Sequence, residues 1–114
     1  MLGKHVLLDI STKSEFLTNP EKTCEILKLV AIKTGSSILF ERYHKFPSTN
    51  GYTAIIGLAE SHISIHTWPE HNSCAVDIFM CGKCDAEKAA ILLLQYFGQN
   101  SYSKMRIIER SNDN

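Results

Sequence analysis

Residues 58–70 read LAESHISIHTWPE. An acid, Glu60, directly precedes a small hydroxyl, Ser61; two histidines, His62 and His66, follow, and Glu70 closes the stretch. A serine hydroxyl held against the carbonyl of the preceding residue can attack it, so the acyl group moves from nitrogen to oxygen and an ester replaces the peptide bond. β-Elimination of that ester cuts the chain. The downstream piece is left with dehydroalanine, which tautomerises and hydrolyses to a pyruvoyl group. Such a ketone is an electron sink: it forms a Schiff base with a substrate amine and accepts the electron pair released when CO₂ leaves. An arbitrary serine at the start of a strand does none of this and is only a hydroxyl.

A second reactive pattern is Cys81-Gly-Lys-Cys84, a CxxC directly before a helix. That is the setting of disulfide exchange, and taken alone it reads as a thiol oxidoreductase motif. Yet it falls after four strands rather than in an early βαβ unit, and that reading leaves Glu60-Ser61 unexplained. A zinc site built from His62, His66, Cys81 and Cys84 is opposed by spacing, since same-face strand residues four apart are separated by about 13 Å. No metal is expected.

These groups need elements to position them. Residues 4–10 (KHVLLDI) read as a strand, and Asn19-Pro20-Glu21 supplies an N-cap, a proline for the first helical position and a first-turn acid. A helix over about 20–34 follows, with Ile26, Leu27, Val30 and Ala31 on one face and Gly35 placed to end it. Strands are expected at 37–44, 52–59, 62–67 and 74–80, with a loop over 45–51 and a turn over 68–73. Asp85 caps a second helix carrying Ala89, Leu92, Leu93, Tyr96 and Phe97 on one face; Gly98 closes it, and a last strand lies near 102–109.

The order βαββββαβ points to an α+β fold: a two-layer α/β sandwich with a mostly antiparallel sheet and two helices on one face. Its other face would be bare, and with Ile55, Ile63 and Ile65 in the strands, a homodimer covering that face is the expected outcome. At 114 residues and 44% hydrophobic content, a single domain over 1–114 is expected. Twelve basic residues balance twelve acidic ones, so no net field draws the chain to nucleic acid or to a membrane surface. The N-terminal MLGKHVLLDI lacks the apolar run and cleavage site of an export signal. A cytoplasmic location follows as the expectation, with Cys24, Cys74, Cys81 and Cys84 as free thiols.

The stretch from Leu58 to Glu70, continued in Ala75-Val-Asp-Ile-Phe-Met-Cys-Gly82, resembles the pyruvoyl-dependent S-adenosylmethionine decarboxylases of bacterial and archaeal type. The likeness extends to His44-Lys-Phe46, Gly51-Tyr-Thr53, the Asp85–Ala89 helix start and His5-Val-Leu-Leu-Asp9, and so covers nearly the whole chain. It implies autocatalytic cleavage between Glu60 and Ser61, giving a β chain of residues 1–60 and an α chain of residues 61–114 headed by pyruvoyl. His66 would move the proton for elimination, and Thr53 would assist processing. Cys81 would protonate the substrate carbon after CO₂ leaves. Phe46 would stack on adenine and Glu70 would hold the ribose hydroxyls. The implied substrate is S-adenosylmethionine and the implied product its decarboxylated form, the aminopropyl donor for spermidine and other polyamines.

Strand geometry adds a constraint. Five extended residues span roughly 16 Å, so Ser61 and His66 of one straight strand cannot touch, and their opposite parity points them to opposite faces. His66 is therefore expected to act on the other subunit's Ser61, with Thr53 and Glu70 donated by the same partner. Three departures from the family pattern stand out. Phe46 to Thr53 is one residue longer than usual, Asp9-Ile-Ser-Thr-Lys lacks a nearby cysteine, and Ser111 follows Arg110 where a glycine is common. The rivals are a pyruvoyl-dependent arginine or ornithine decarboxylase on the same scaffold, and a homologue that never cuts itself.

Overall fold

A computed structural model describes residues 2–98 and 101–112. Six strands, β1 (Gly3–Ser11), β2 (Ile38–Lys45), β3 (Tyr52–Leu58), β4 (Ser61–Trp68), β5 (Ser73–Cys81) and β6 (Tyr102–Arg110), form one sheet. Its order is β2-β3-β4-β5-β1-β6, and every neighbouring pair is antiparallel. Two helices, α1 (Pro20–Lys33) and α2 (Ala86–Phe97), lie on one face, α1 against β2 and β3 and α2 against β1 and β5. The α+β sandwich expected from the sequence is the fold observed. Among the described residues, no helix is long and apolar enough to cross a membrane.

The helix boundaries follow local chemistry. Asn19 Oδ1 accepts the Lys22 N–H at 3.1 Å, with Pro20 in the first turn. At the other end Gly35 takes a φ of 94°, and the Gly35 and Ser36 N–H groups donate back to Ile32 and Ala31, the paired bonds of a Schellman stop. Asp85 caps α2 through the Lys88 N–H at 3.0 Å.

Between the layers, Val6, Leu8, Ile56, Ile63, Ile65 and Ile78 of the sheet meet Leu27, Val30, Ala89 and Leu93 of the helices, all essentially without solvent contact. Burying one such aliphatic side chain contributes about 1.5–3 kcal/mol. Two expectations are corrected here. Ile63 and Ile65 do not lie on the bare face; they sit under the helices, and of the three isoleucines only Ile55 faces outward, opposite Ser64. Tyr96 is more than a third exposed because it lies at the border of the buried stripe of α2, which runs through Ala86, Ala89, Ala90, Leu93 and Phe97.

One buried hydroxyl ties the loop after β1 to the sheet. Thr67 Oγ1 accepts the Tyr52 N–H at 3.0 Å and donates to the Leu17 carbonyl at 2.8 Å. Thr67→Val strands both buried backbone groups, so a loss of about 2–3 kcal/mol is expected, read as a lower urea midpoint at unchanged slope.

Candidate active site

Pairing of β3 with β4 runs from Thr53↔His66 to Leu58↔Ser61, so Ala59 and Glu60 form a two-residue hairpin loop. Loops of this length ordinarily carry Asn or Gly, which accept positive φ. Glu60 has a φ of 64°, a left-handed conformation costing an ordinary L-residue about 1–2 kcal/mol. The other non-glycine residues with positive φ, among those described, are Asn50 and Asn72, and asparagine tolerates this region. The backbone is thus strained at the residue whose carbonyl belongs to the Glu60–Ser61 bond. In an uncut Ser61→Ala chain, Glu60→Gly is expected to raise stability by about 0.5–1 kcal/mol, the strain relieved less the extra entropy of glycine; equilibrium denaturation measures it.

Beside that bond lies the end of β5. Register pairs His62 with Phe79, which brings Cys81 alongside Ser61. Ser61 Oγ accepts the Cys81 N–H at 3.2 Å, and the Cys81 thiol donates to the Glu60 carbonyl oxygen at 3.2 Å. The two side chains are 3.7 Å apart, Oγ to Sγ. The amide anchors the hydroxyl that would attack, and the thiol polarises the carbonyl that would be attacked. Ser61, Glu60 and Cys81, three of the residues singled out in the sequence, therefore form one cluster.

The remaining candidates gather at the opposite end of the same strands. Thr53 faces His66 across the ladder, with its hydroxyl 3.0 Å from His66 Nδ1. His44 lies edge-on to Phe46, ring centroids 4.9 Å apart. Phe46, Thr53, His66, Thr67, Trp68 and Glu70 are among the residues lining a cavity of about 310 Å³. The loop before β3 closes over it through the Phe46 N–H, which donates to the Gly51 carbonyl at 2.8 Å. Gly51 permits this, since a Cβ there would come within 2.7 Å of the Thr67 carbonyl oxygen. Trp68 is the functional candidate that sequence reading missed. Its signal was parity: two residues beyond His66 on an alternating strand, it lies on the same face, its ring centroid 6.4 Å from that of His66.

Within one chain, then, the two clusters stand five residues of β4 apart, roughly 16 Å. The bare face between them carries His5, His62, Asp77 and Phe79. Both imidazoles lie about 6 Å from the Phe79 ring. Burial, followed by the neighbouring His5, lowers the pKa of His62. Among the described residues His5 Nε2 is buried without a hydrogen-bond partner, with Asp77 Oδ2 3.8 Å away.

These features define an α+β sandwich whose reactive groups sit at the two ends of β4, with His66 on the open face and Ser61 of opposite parity. The sequence model of the S-adenosylmethionine decarboxylase family matches residues 4–111. The chain is 41% identical over 83 residues to an S-adenosylmethionine decarboxylase proenzyme of Moorella thermoacetica, covering 72% of this chain and 66% of that one. It is 43% identical over 82 residues to the proenzyme of the same name from a Thermoanaerobacter strain, covering 71% of this chain and 65% of the relative. These matches thus span somewhat less than two thirds of the relatives' own length. The crystal structure of the adenosylmethionine decarboxylase from Aquifex aeolicus VF5 superposes with a TM-score of 0.83 at 28% identity, over 99% of this chain and 93% of that one. The chain belongs to the S-adenosylmethionine decarboxylase family.

Proposed function

We propose that this protein cuts itself between Glu60 and Ser61 and, with the pyruvoyl group so made, decarboxylates S-adenosylmethionine. The observation that carries the reading is the Cys81 thiol on the carbonyl of a left-handed Glu60, with Ser61 Oγ held by the Cys81 amide. Ser61 Oγ attacks the Glu60 carbonyl carbon, the Ser61 nitrogen leaves it, and an ester forms. Removal of the Ser61 α-proton then expels the Glu60 carboxylate, and water replaces the nitrogen as ammonia departs. Cutting releases the strain at Glu60. When formed, the pyruvoyl carbonyl supplies the electron sink for loss of CO₂. The residues at the cut fit such a group, because a serine made into a ketone at the head of β4 stays beside Cys81, whose thiol is placed to protonate the substrate carbon.

The pieces 1–60 and 61–114 remain one body. β1, from the first piece, lies between β5 and β6 of the second, and β4 of the second pairs with β3 of the first, so separation would unpair three ladders. A homodimer completes the site. A two-fold axis lying across the strands near Ser64, between two sheets packed by their bare faces, sets the sheet end that holds Ser61 and Cys81 in one subunit against the end that holds Thr53, His66 and Glu70 in the other. It also covers Phe40 and Trp68, which are 49% and 44% exposed in a single chain. His66, its Nδ1 held by Thr53, serves as the base for elimination. Phe46 and Trp68 offer faces to the adenine and to the sulfonium cation, and Glu70 accepts from the ribose hydroxyls.

Intact-mass measurement of purified protein tests the reading. Two fragments divided after Glu60, the later one blocked at its N-terminus by pyruvoyl, are expected. A single uncut mass after prolonged incubation would overturn it. Labelled CO₂ released from S-adenosylmethionine, and not from arginine or ornithine, separates the substrates.

A further inference from the structure

The four cysteines divide into two kinds. Cys24 and Cys74 are buried, and burial pushes each thiol up to about 12, which leaves them unreactive at neutral pH. Cys81 and Cys84 are partly exposed and free. A tight turn joins them. The Cys84 N–H donates to the Cys81 carbonyl at 3.3 Å, with Gly82 at a φ of 64°. A turn closed by this bond holds its first and fourth Cα atoms within about 7 Å, which overlaps the roughly 4.4–6.8 Å that a disulfide spans. Cys84 also lines a cavity of about 740 Å³, together with Gly3, Gly82 and Lys83, so a small reagent has a route to its sulfur.

We propose that Cys81 and Cys84 form a reversible disulfide that switches the site off, because the bond takes the Cys81 thiol away from the Glu60 carbonyl. The oxidant is a small disulfide of the glutathione class. The Cys84 thiolate attacks one of its sulfurs, giving a mixed disulfide and releasing one small thiol. The Cys81 thiolate then attacks the Cys84 sulfur and releases the second. The two cysteines lose two electrons, the small disulfide gains them, and the two cysteine protons end on the released thiols. In the uncut chain the carbonyl loses its thiol donor. In the cut chain the proton donor for the substrate carbon is gone. The disulfide itself stands on the turn and the cavity; its effect rests on the function proposed above.

The experiment has a mass arm and a rate arm. Uncut Ser61→Ala protein treated with oxidised glutathione is expected to lose the mass of two hydrogens. Tryptic peptides ending at Lys83 and beginning at Cys84 should be joined, and dithiothreitol should part them. Glutathione adducts alone, without that joined pair, would overturn the proposal. In the rate arm, the chain carrying Ser61 should cut about a hundredfold more slowly when oxidised, the usual cost of losing one donor to a reacting carbonyl. Reductant should restore the rate. Cys84→Ser should cut like the unaltered chain when reduced and form no joined pair when oxidised. Joined peptides with an unchanged cutting rate would refute the switch while leaving the disulfide. A reduced chain that never cuts would remove the proposed function and the switch with it, whatever the mass arm reads.

Discussion

Ser61→Ala should yield a single full-length species that releases no CO₂ from S-adenosylmethionine, a loss on the order of 10⁴-fold or more, as expected when a nucleophile is deleted. Alanine keeps the Cβ and removes the oxygen that would attack Glu60. In the fold the change is mild. Ser61 is half-buried, and the Cys81 N–H loses one acceptor, a cost of about 1 kcal/mol, so the sheet should form as before. Glu60 would keep its φ of 64°, now with no step that relieves it. Denaturing electrophoresis, intact mass and CO₂ release all read the outcome. Cutting in this variant would show that another group opens the bond, and the assignment of Ser61 would fail.

The second large effect concerns which chain supplies which half of the site. Ser61→Ala and His66→Ala are each expected to be silent alone, the first for want of a nucleophile and the second for want of the base. Co-expressed, they should regain activity. A heterodimer then holds one site with Ser61 from the His66→Ala chain and His66 from the Ser61→Ala chain, and a second site lacking both. Random pairing makes half of all dimers mixed, each with one competent site of two, so roughly a quarter of full activity should return. Intact mass adds a readout independent of turnover, since only the His66→Ala chain should be cut. The prediction follows from the two clusters lying at opposite ends of β4, with Thr53 Oγ1 3.0 Å from His66 Nδ1 at one end and the Cys81 thiol 3.2 Å from the Glu60 carbonyl at the other. No regained cutting would place both halves within one chain.

Sequence alone determined the elements and their order, because those depend on short-range rules. Asn19 before Pro20, Asp85 ahead of an apolar run, and Gly35 after one marked the helix ends, and each marker makes the backbone contact expected of it. The block from Leu58 to Glu70 singled out Ser61 and His66 through their surroundings in the chain. Tertiary structure decided three further matters. Alternation along β4 sorts Ile63 and Ile65 from Ser64 and His66 but carries no sign for the face the helices will cover; only packing of α1 and α2 put the isoleucines inside. The left-handed turn at Glu60 arises where β3 and β4 must close in two residues, a demand of register that neither Ala59 nor Glu60 announces. The meeting of Cys81 with Ser61, twenty residues apart, depends on how far β5 slides along β4, and that distance is set by the summed packing of a whole strand pair.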